Sequence, residues 1–252
     1  MKKLMTALAA CVFAGAVFAQ VESLNIVGYT TTGLAGGTFN QYPVQFGTVG
    51  GGGFNLNGGA LQGDLFAAEG SGDADQILIW EPATSSYGVY YLYSDGLWYN
   101  FLTDVLFEVD YPAGLPAGTA FWYVSQAAGG QAVFSGEVPL TATLTKSVTG
   151  GTFNMLCQPY PVAAKLNDST QCDWVACGAF AAEGSGNADQ ILIWEPATSS
   201  YGVYYLYSDG LWYNFVTDAA FEVDYPDGLP VGTAFWYSSK GASFTATFNK
   251  TF

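Results

Sequence analysis

"ADQILIWEPATSSYGVYYLYSDGLWYNF" runs from Ala74 to Phe101 and again, letter for letter, from Ala188 to Phe215. "QILIW" is a short continuous apolar run, the pattern of a strand buried on both faces. "EPATSS" reads as a turn, with Pro82 and Pro196 fixing φ. "YGVYYLY" is a second strand, "SDG" a hairpin signal and "LWYNF" a third strand. The stretch therefore predicts the central hairpin of a β-domain, present twice.

Outward from it, Phe66–Ser125 and Phe180–Ser239 are identical at 53 of 60 positions without a gap. "GGTFN" at 36–40 returns at 150–154, whereas residues 41–65 match 155–179 at no position in that register. A displaced "YPV" (42–44 against 160–162) is the common trace between those segments. So abrupt a boundary suggests that one part was held or homogenised while its neighbour changed. The segments read equally well as specificity loops or as slack. An offset of 114 residues exceeds a solenoid repeat or propeller blade and matches a small domain.

"YPAGLPAG" is a further turn cluster delivering "TAFWYVS", and "AVFSGEV" and "FTATFNKTF" complete the sheets. The junction "FSGEVPLTATLTKSVTGGTFN" (134–154) is alternating and Thr-rich, so it reads as strand, shared or exchanged between repeats. "FAAEGSG" is at most one helical turn. The expected fold is all-β: two tandem β-sandwich-like repeats, 20–135 and 136–252, closely packed.

The first residues, "MKKLMTALAACVFAGAVFAQ", have a cationic start, an apolar run and small residues before Gln20. These are the parts of a secretory signal peptide (1–19) cut after Ala19, and a membrane span would need about 20 apolar residues. "LAAC" at Leu8–Cys11 also spells a lipoprotein box, but the apolar stretch before it is short. The expected location is extracellular or cell-surface, with the periplasm as an alternative.

The 252-residue chain has no histidine, six Lys and Arg together, 21 acids and a net charge of −15. Loss of Lys2 and Lys3 with the leader leaves only Lys146, Lys165, Lys240 and Lys250 as cations. Such a chain cannot neutralise phosphates, which argues against nucleic acid and anionic membrane surfaces as partners. The acidity suits solubility in a protein so rich in Tyr, Trp and Phe.

"SLNIVGY" at Ser23–Tyr29 resembles the mature N-terminus of a group of secreted bacterial proteins. "GGTFNMLCQPYP" (150–161), "ILIWEPATSSY" (191–201) and "GLPVGTAFWYSSKGASFTATFN" (228–249) resemble the Gly-Trp-Asn-Leu-Ile-Gly-Asn-Pro-Tyr-Pro modules found beside sorting signals in bacterial surface proteins. Thr38 and Thr152 stand where those modules have Trp, Gln158 replaces the Asn before Pro, and the first copy is shortened there. The resemblance implies a secreted or surface β-module and brings no catalytic residues.

Imidazole-based triads and dyads are excluded by the absence of histidine. A glycosidase needs only two carboxylates, and duplicated candidates exist at Glu81/Glu195, Asp95/Asp209, Asp104/Asp218, Glu108/Glu222 and Asp110/Asp224. Each sits at a turn or strand end, where a solvated acid is ordinary, so no enzyme and no cofactor is expected. "EGSGDADQ" (69–76) and "EGSGNADQ" (183–190) are loose calcium-loop candidates through Asp73, Asp75 and Asp189, with no bidentate acid at the proper spacing. Cys157, Cys172 and Cys177 have no counterparts in the first repeat; one pair among them is expected to form a disulfide.

The aromatics are the strongest signal. Alternation puts Tyr87, Val89, Tyr91 and Tyr93 on one strand face, and Tyr90 and Leu92 on the other; Tyr99 and Phe101 likewise oppose Trp98. If the second face is solvated, Tyr90 and Trp98, with their copies Tyr204 and Trp212, form a ring platform for sugars. If both faces are buried, one lies in a sandwich and one against the other repeat. The functional expectation is a non-enzymatic adhesive or structural protein, its partners polysaccharide, surface proteins or itself. Carbohydrate binding through exposed aromatics is the first alternative. An outer-membrane barrel is the second, suggested by the terminal "FTATFNKTF".

Overall fold

The computed structural model describes residues 26–127, 129–195, 198 and 200–252, so the leader lies outside the described residues. In the first repeat the strands are β1 (Val27–Leu34), β2 (Phe39–Pro43), β3 (Leu61–Gly63), β4 (Gln76–Glu81), β5 (Ser86–Leu92), β6 (Trp98–Asn100), β7 (Ala120–Val124) and β8 (Gly130–Glu137). One helical turn, α1 (Phe107–Asp110), precedes β7. The second repeat has β9 (Thr143–Val148), β10 (Phe153–Cys157), β11 (Gln190–Glu195), β12 (Ser200–Leu206), β13 (Trp212–Asn214), β14 (Ala234–Ser238) and β15 (Phe244–Asn249). Its helical turns are α2 (Trp174–Cys177) and α3 (Phe221–Asp224).

Each repeat has a five-stranded antiparallel sheet, ordered β2-β7-β4-β5-β6 in the first and β10-β14-β11-β12-β13 in the second. A smaller sheet covers one face of each: β1-β8-β3 in the first, β15-β9 in the second. The fold is all-β and repeated, as the sequence predicts. All four sheets are open among the described residues, and none closes into a barrel. The terminal Phe252 lies beyond β15 and rests edge-on against Tyr160, so it does not continue a spanning strand.

The duplicated stretch folds as read. β4 and β5 pair from Gln76↔Tyr91 to Glu81↔Ser86, and β5 turns into β6 at Ser94–Gly96. Gly96 adopts φ 85°, and Asp95 accepts a hydrogen bond from the Leu97 N–H. The shared "GGTFN" has an equally local cause. Gly37 and Gly151 take φ 65° and 69°, and the Asn40 and Asn154 amides each bridge back to the backbone across that turn.

Strand alternation then divides the residues between two faces. Ile77, Ile79, Tyr90, Leu92, Trp98, Phe121 and Tyr123 face the small sheet and form the first core with Phe134, Tyr42 and Phe54. The second core uses the same large-sheet positions at Ile191, Ile193, Tyr204, Leu206, Trp212, Phe235 and Tyr237. Its small-sheet side is filled differently. Leu156 takes the place of Tyr42 opposite the shared phenylalanine, and Trp174 inserts between Tyr237, Trp212 and Phe248. Cores tolerate such swaps when total volume is kept. The displaced "YPV" is therefore not a structural equivalence, since Tyr160 lies beyond β10.

The outer faces of the two large sheets pack on one another. Ala120, Trp122, Met155, Cys157 and Ala234 form a third apolar cluster, joined by Leu78, Trp80 and Trp236. The Trp80 Nε1–H donates to the Phe153 carbonyl at 2.7 Å, and its ring meets Trp236 edge-on at 5.5 Å. Gln45 Nε2 donates to the Gln158 and Tyr160 carbonyls, both at 3.0 Å. β8 pairs with β1 and β9 with β15, each within its own repeat, so no strand is exchanged at the junction. β8 runs to Glu137.

Candidate functional site

The four residues expected to form a surface platform are core. Tyr90, Trp98, Tyr204 and Trp212 are 2%, 1%, 1% and 0% exposed. The physical reason is register: Tyr90 lies opposite Ile77 and Trp98 opposite Leu92, so both rings point at the small sheet. The two hydroxyls are served locally, Tyr90 donating to Asp110 at 2.7 Å and Tyr204 to Asp224 at 2.7 Å, whereas the buried Trp212 Nε1–H has no partner.

The opposite face carries the surface aromatics. β5 and β6 extend past the inter-repeat contact, and there half-buried Tyr93 and Tyr99 and exposed Phe101 form a ribbon over the buried Tyr91. Tyr91 packs on Tyr93, Tyr99 and Phe101 with centroids 6.2–6.3 Å apart, and Tyr93 meets Tyr99 at 5.7 Å. The second repeat reproduces it with Tyr205, Tyr207, Tyr213 and Phe215 at 5.8–6.4 Å. Such mostly edge-to-face pairs are the favoured aromatic geometry. Two acids fringe each ribbon. Tyr99 donates to Asp95 at 2.8 Å and Tyr91 to Asp104 at 3.0 Å. The copies pair Tyr213 with Asp209 at 2.8 Å and Tyr205 with Asp218 at 2.9 Å.

These pairs hold the phenols protonated. The bonded Asp95 and Asp209 push the Tyr99 and Tyr213 hydroxyls above their usual range, with burial adding to the effect. Burial, then Asp218, pushes Tyr205 up to about 12. Each ribbon thus offers ring surface, phenolic oxygens free to accept, and carboxylates.

Beyond each ribbon stands an aliphatic knob. Leu102 is 88% exposed and Val216 86%, on a loop fixed from beneath by Asn100 and Asn214. Asn100 Oδ1 accepts from the Leu102 and Thr103 N–H groups, while its Nδ2 donates to Asp110 at 2.7 Å. Asp104 and Asp218 close the loop at φ 54°, a left-handed conformation that Asp tolerates better than most residues.

The remaining candidate acids hold structure. Glu108 and Glu222 accept from Asn57 and Asn167 at 2.6 and 2.9 Å. Glu81 accepts from Tyr111 at 3.4 Å. Asp75 and Asp189, the calcium-loop candidates, are fully buried with their oxygens turned away from the loop. Asp75 accepts from the Phe66 and Gln126 N–H groups at 2.7 and 2.6 Å and from the Tyr123 hydroxyl. Asp189 accepts from Phe180, Tyr237, Lys240 and Gly241. Asp73 sits over Gly70, and no cluster of three metal-ligating side chains occurs among the described residues. The two buried aspartates are staples joining the loop before β4 to the end of β7, and likewise β11 to β14.

Asn57 and Asn167 are structural counterparts that the 114-residue register hides. Each amide bridges the backbone of the buried Trp98 or Trp212, accepting its N–H at 2.6 Å and donating to its carbonyl at 3.3 Å. They lie 110 residues apart, within the segments that share no aligned residue. The "Leu-Asn" pair at 56–57 and 166–167 was the available signal.

The divergent segments also give the two hairpins different walls. In the second repeat, α2 and the turn at Ser208–Leu211 enclose a cleft of about 500 Å³, with Asp173 and Val175 on one side. Val175 lies 3.5 Å from a Cβ built at Gly210, while the equivalent space at Gly96 is open. All three described cysteines are free thiols in this structure. Cys157 is sealed in the inter-repeat cluster, and Cys172 and Cys177 lie at either end of α2. No protein family, curated protein or solved structure matches this chain.

Proposed function

We propose a non-enzymatic, secreted or cell-surface protein that binds through twin aromatic ribbons in an adhesive or structural role. The observation that carries this reading is the exposure of the same ribbon, knob and acid pairs twice on one packed body. Two equal sites on a body this compact raise avidity for any repetitive surface without new contacts. The leader-like N-terminus and the resemblance to modules beside sorting signals point to the same setting. The candidate acids of an enzyme are committed to local hydrogen bonds, which favours binding over catalysis.

A neutral polysaccharide is the second reading, favoured by ring surface lying beside tyrosine–carboxylate pairs. Native gels cast with neutral polysaccharides test both, using the chain from Gln20 and its Tyr99→Ala/Tyr213→Ala variant. Retardation of the parent and not of the variant supports carbohydrate. Retention on cell surfaces or self-association in light scattering, lost in the same variant, supports a protein partner. Binding that survives the double substitution removes the ribbons from the account.

A further inference from the structure

We infer that Cys172 and Cys177 are a disulfide-forming pair, oxidised by exchange with a small-molecule or protein disulfide of an oxidising compartment. In the first repeat β3 caps β8, with Leu61↔Phe134, Gln62↔Val133 and Gly63↔Ala132 in register. The equivalent edge of the second repeat is Ala246–Phe248 on β15, and there α2 replaces the capping strand. A helical turn cannot continue a hydrogen-bond ladder. The Asn249 N–H turns to the Gln171 carbonyl at 2.8 Å, and the Thr247 N–H finds only the Cys177 sulfur, at 3.3 Å. A thiol is a weak acceptor, so the edge is fastened poorly where the other repeat has a strand.

The two cysteines lie at either end of the turn that covers this edge. The Cys172 N–H bonds the Asp168 carbonyl at 3.2 Å, and the Cys177 N–H bonds the Asp173 carbonyl at 3.0 Å. Asp173 caps α2 through the Ala176 N–H at 2.9 Å, and Gly178 ends it at φ 110°. Both side chains belong to the second core, Cys172 buried within it and Cys177 packed against it. Cys172 is buried and Cys177 partly open, which orders the chemistry. The Cys177 thiolate attacks the partner disulfide, forming a mixed disulfide and releasing one thiolate. Cys172 then loses its proton and attacks the Cys177 sulfur, expelling the second. Two protein thiols lose two electrons and two protons, and one partner disulfide becomes two thiols. Cys157 takes no part, its thiol donating to the Thr119 carbonyl at 3.3 Å within the inter-repeat cluster.

Formation in the cell rests on the proposed secretion, but the pairing itself does not. The test uses the chain from Gln20, purified reduced and then incubated with glutathione disulfide. Thiols counted in denaturant should fall from the three present to one. Cleavage before Asp173, between the two cysteines, should leave the fragments joined. The Cys157→Ser variant should lose both its thiols, and Cys172→Ser should instead retain glutathione on Cys177. Three persistent thiols under conditions that oxidise a control dithiol, or a bond to Cys157, would overturn the inference. A chain that pairs in vitro yet is recovered reduced from inside the cells that make it supports the pairing and contradicts the proposed secretion.

Discussion

Replacing Asp75 by Asn tests the staple that holds each sandwich closed. Asp75 Oδ2 accepts from the Phe66 N–H and the Tyr123 hydroxyl, and Oδ1 from the Gln126 N–H. An amide has one acceptor end, and its least costly placement puts the NH₂ at the Oδ1 position. That leaves the Gln126 N–H facing a donor, an unsatisfied group worth about 1–3 kcal/mol. The other two bonds drop from charged to neutral, each losing about 1 kcal/mol. The sum is about 3–5 kcal/mol, a large share of the roughly 5–15 kcal/mol typical of folded chains. Asp189 gives an internal control. Its Oδ1 receives two N–H groups, from Lys240 and Gly241, and its Oδ2 receives the Phe180 N–H and the Tyr237 hydroxyl. One amide orientation opposes two N–H groups, and the other opposes the Phe180 N–H and makes the Tyr237 hydroxyl turn round to accept, so Asp189→Asn should be the more damaging by about 1 kcal/mol. Urea denaturation of the chain from Gln20, followed by tryptophan fluorescence, reads both. Losses within about 1 kcal/mol of the parent, or the reverse ranking, would refute the reasoning.

Three further outcomes follow from the packing. Trp98→Ala and Trp212→Ala should each cost about 3–5 kcal/mol in the same unfolding assay, since both rings are sealed in core. Trp80→Ala should destabilise more than Trp194→Ala by about 1–2 kcal/mol, because Trp80 alone of the two packs in the inter-repeat cluster and bonds Phe153. Stability should also fall in alkali. Burial, with Asp75 and Asp189 beside them, raises the Tyr123 and Tyr237 pKa values in the folded chain above the unfolded value. Their contribution is therefore full below about pH 10 and is lost as pH climbs beyond it toward the folded values. A melting temperature that holds steady from pH 9 to 11 would contradict this.

Strands, hairpin and duplication were legible because they are local. Period-two alternation, the "SDG" turn and an ungapped repeat need no knowledge of distant partners. Which strand face is core was not legible. Tyr90 and Leu92 on one side of β5 are matched by Val89 and Tyr91 on the other, one aliphatic and one tyrosine each. The choice comes from pairing with Ile77 and from the small sheet beyond, which places Phe134 over the first set. The aromatic platform was thus anticipated on the wrong face, with Tyr90 and Trp98 in place of Tyr99 and Phe101. The divergent segments hid more. After β2 the second repeat runs four residues shorter, so that Leu56-Asn57 corresponds to Leu166-Asn167, and α2 then restores the register. A fixed offset cannot show such a compensation, nor that Trp174 replaces volume given up at Tyr42 and Phe54.

The central claim is that two equivalent ribbons do the binding. It is tested most directly by comparing Phe101→Ala, Phe215→Ala and the double variant for retention on a repetitive surface that captures the parent. Both rings are partly open, 40% and 43% exposed, so the fold should survive their loss. The account predicts that each single change lowers apparent affinity similarly, by about 10²- to 10⁴-fold as avidity is lost, and that the double change abolishes retention. Single variants that bind like the parent, or one substitution carrying the entire loss, would contradict it.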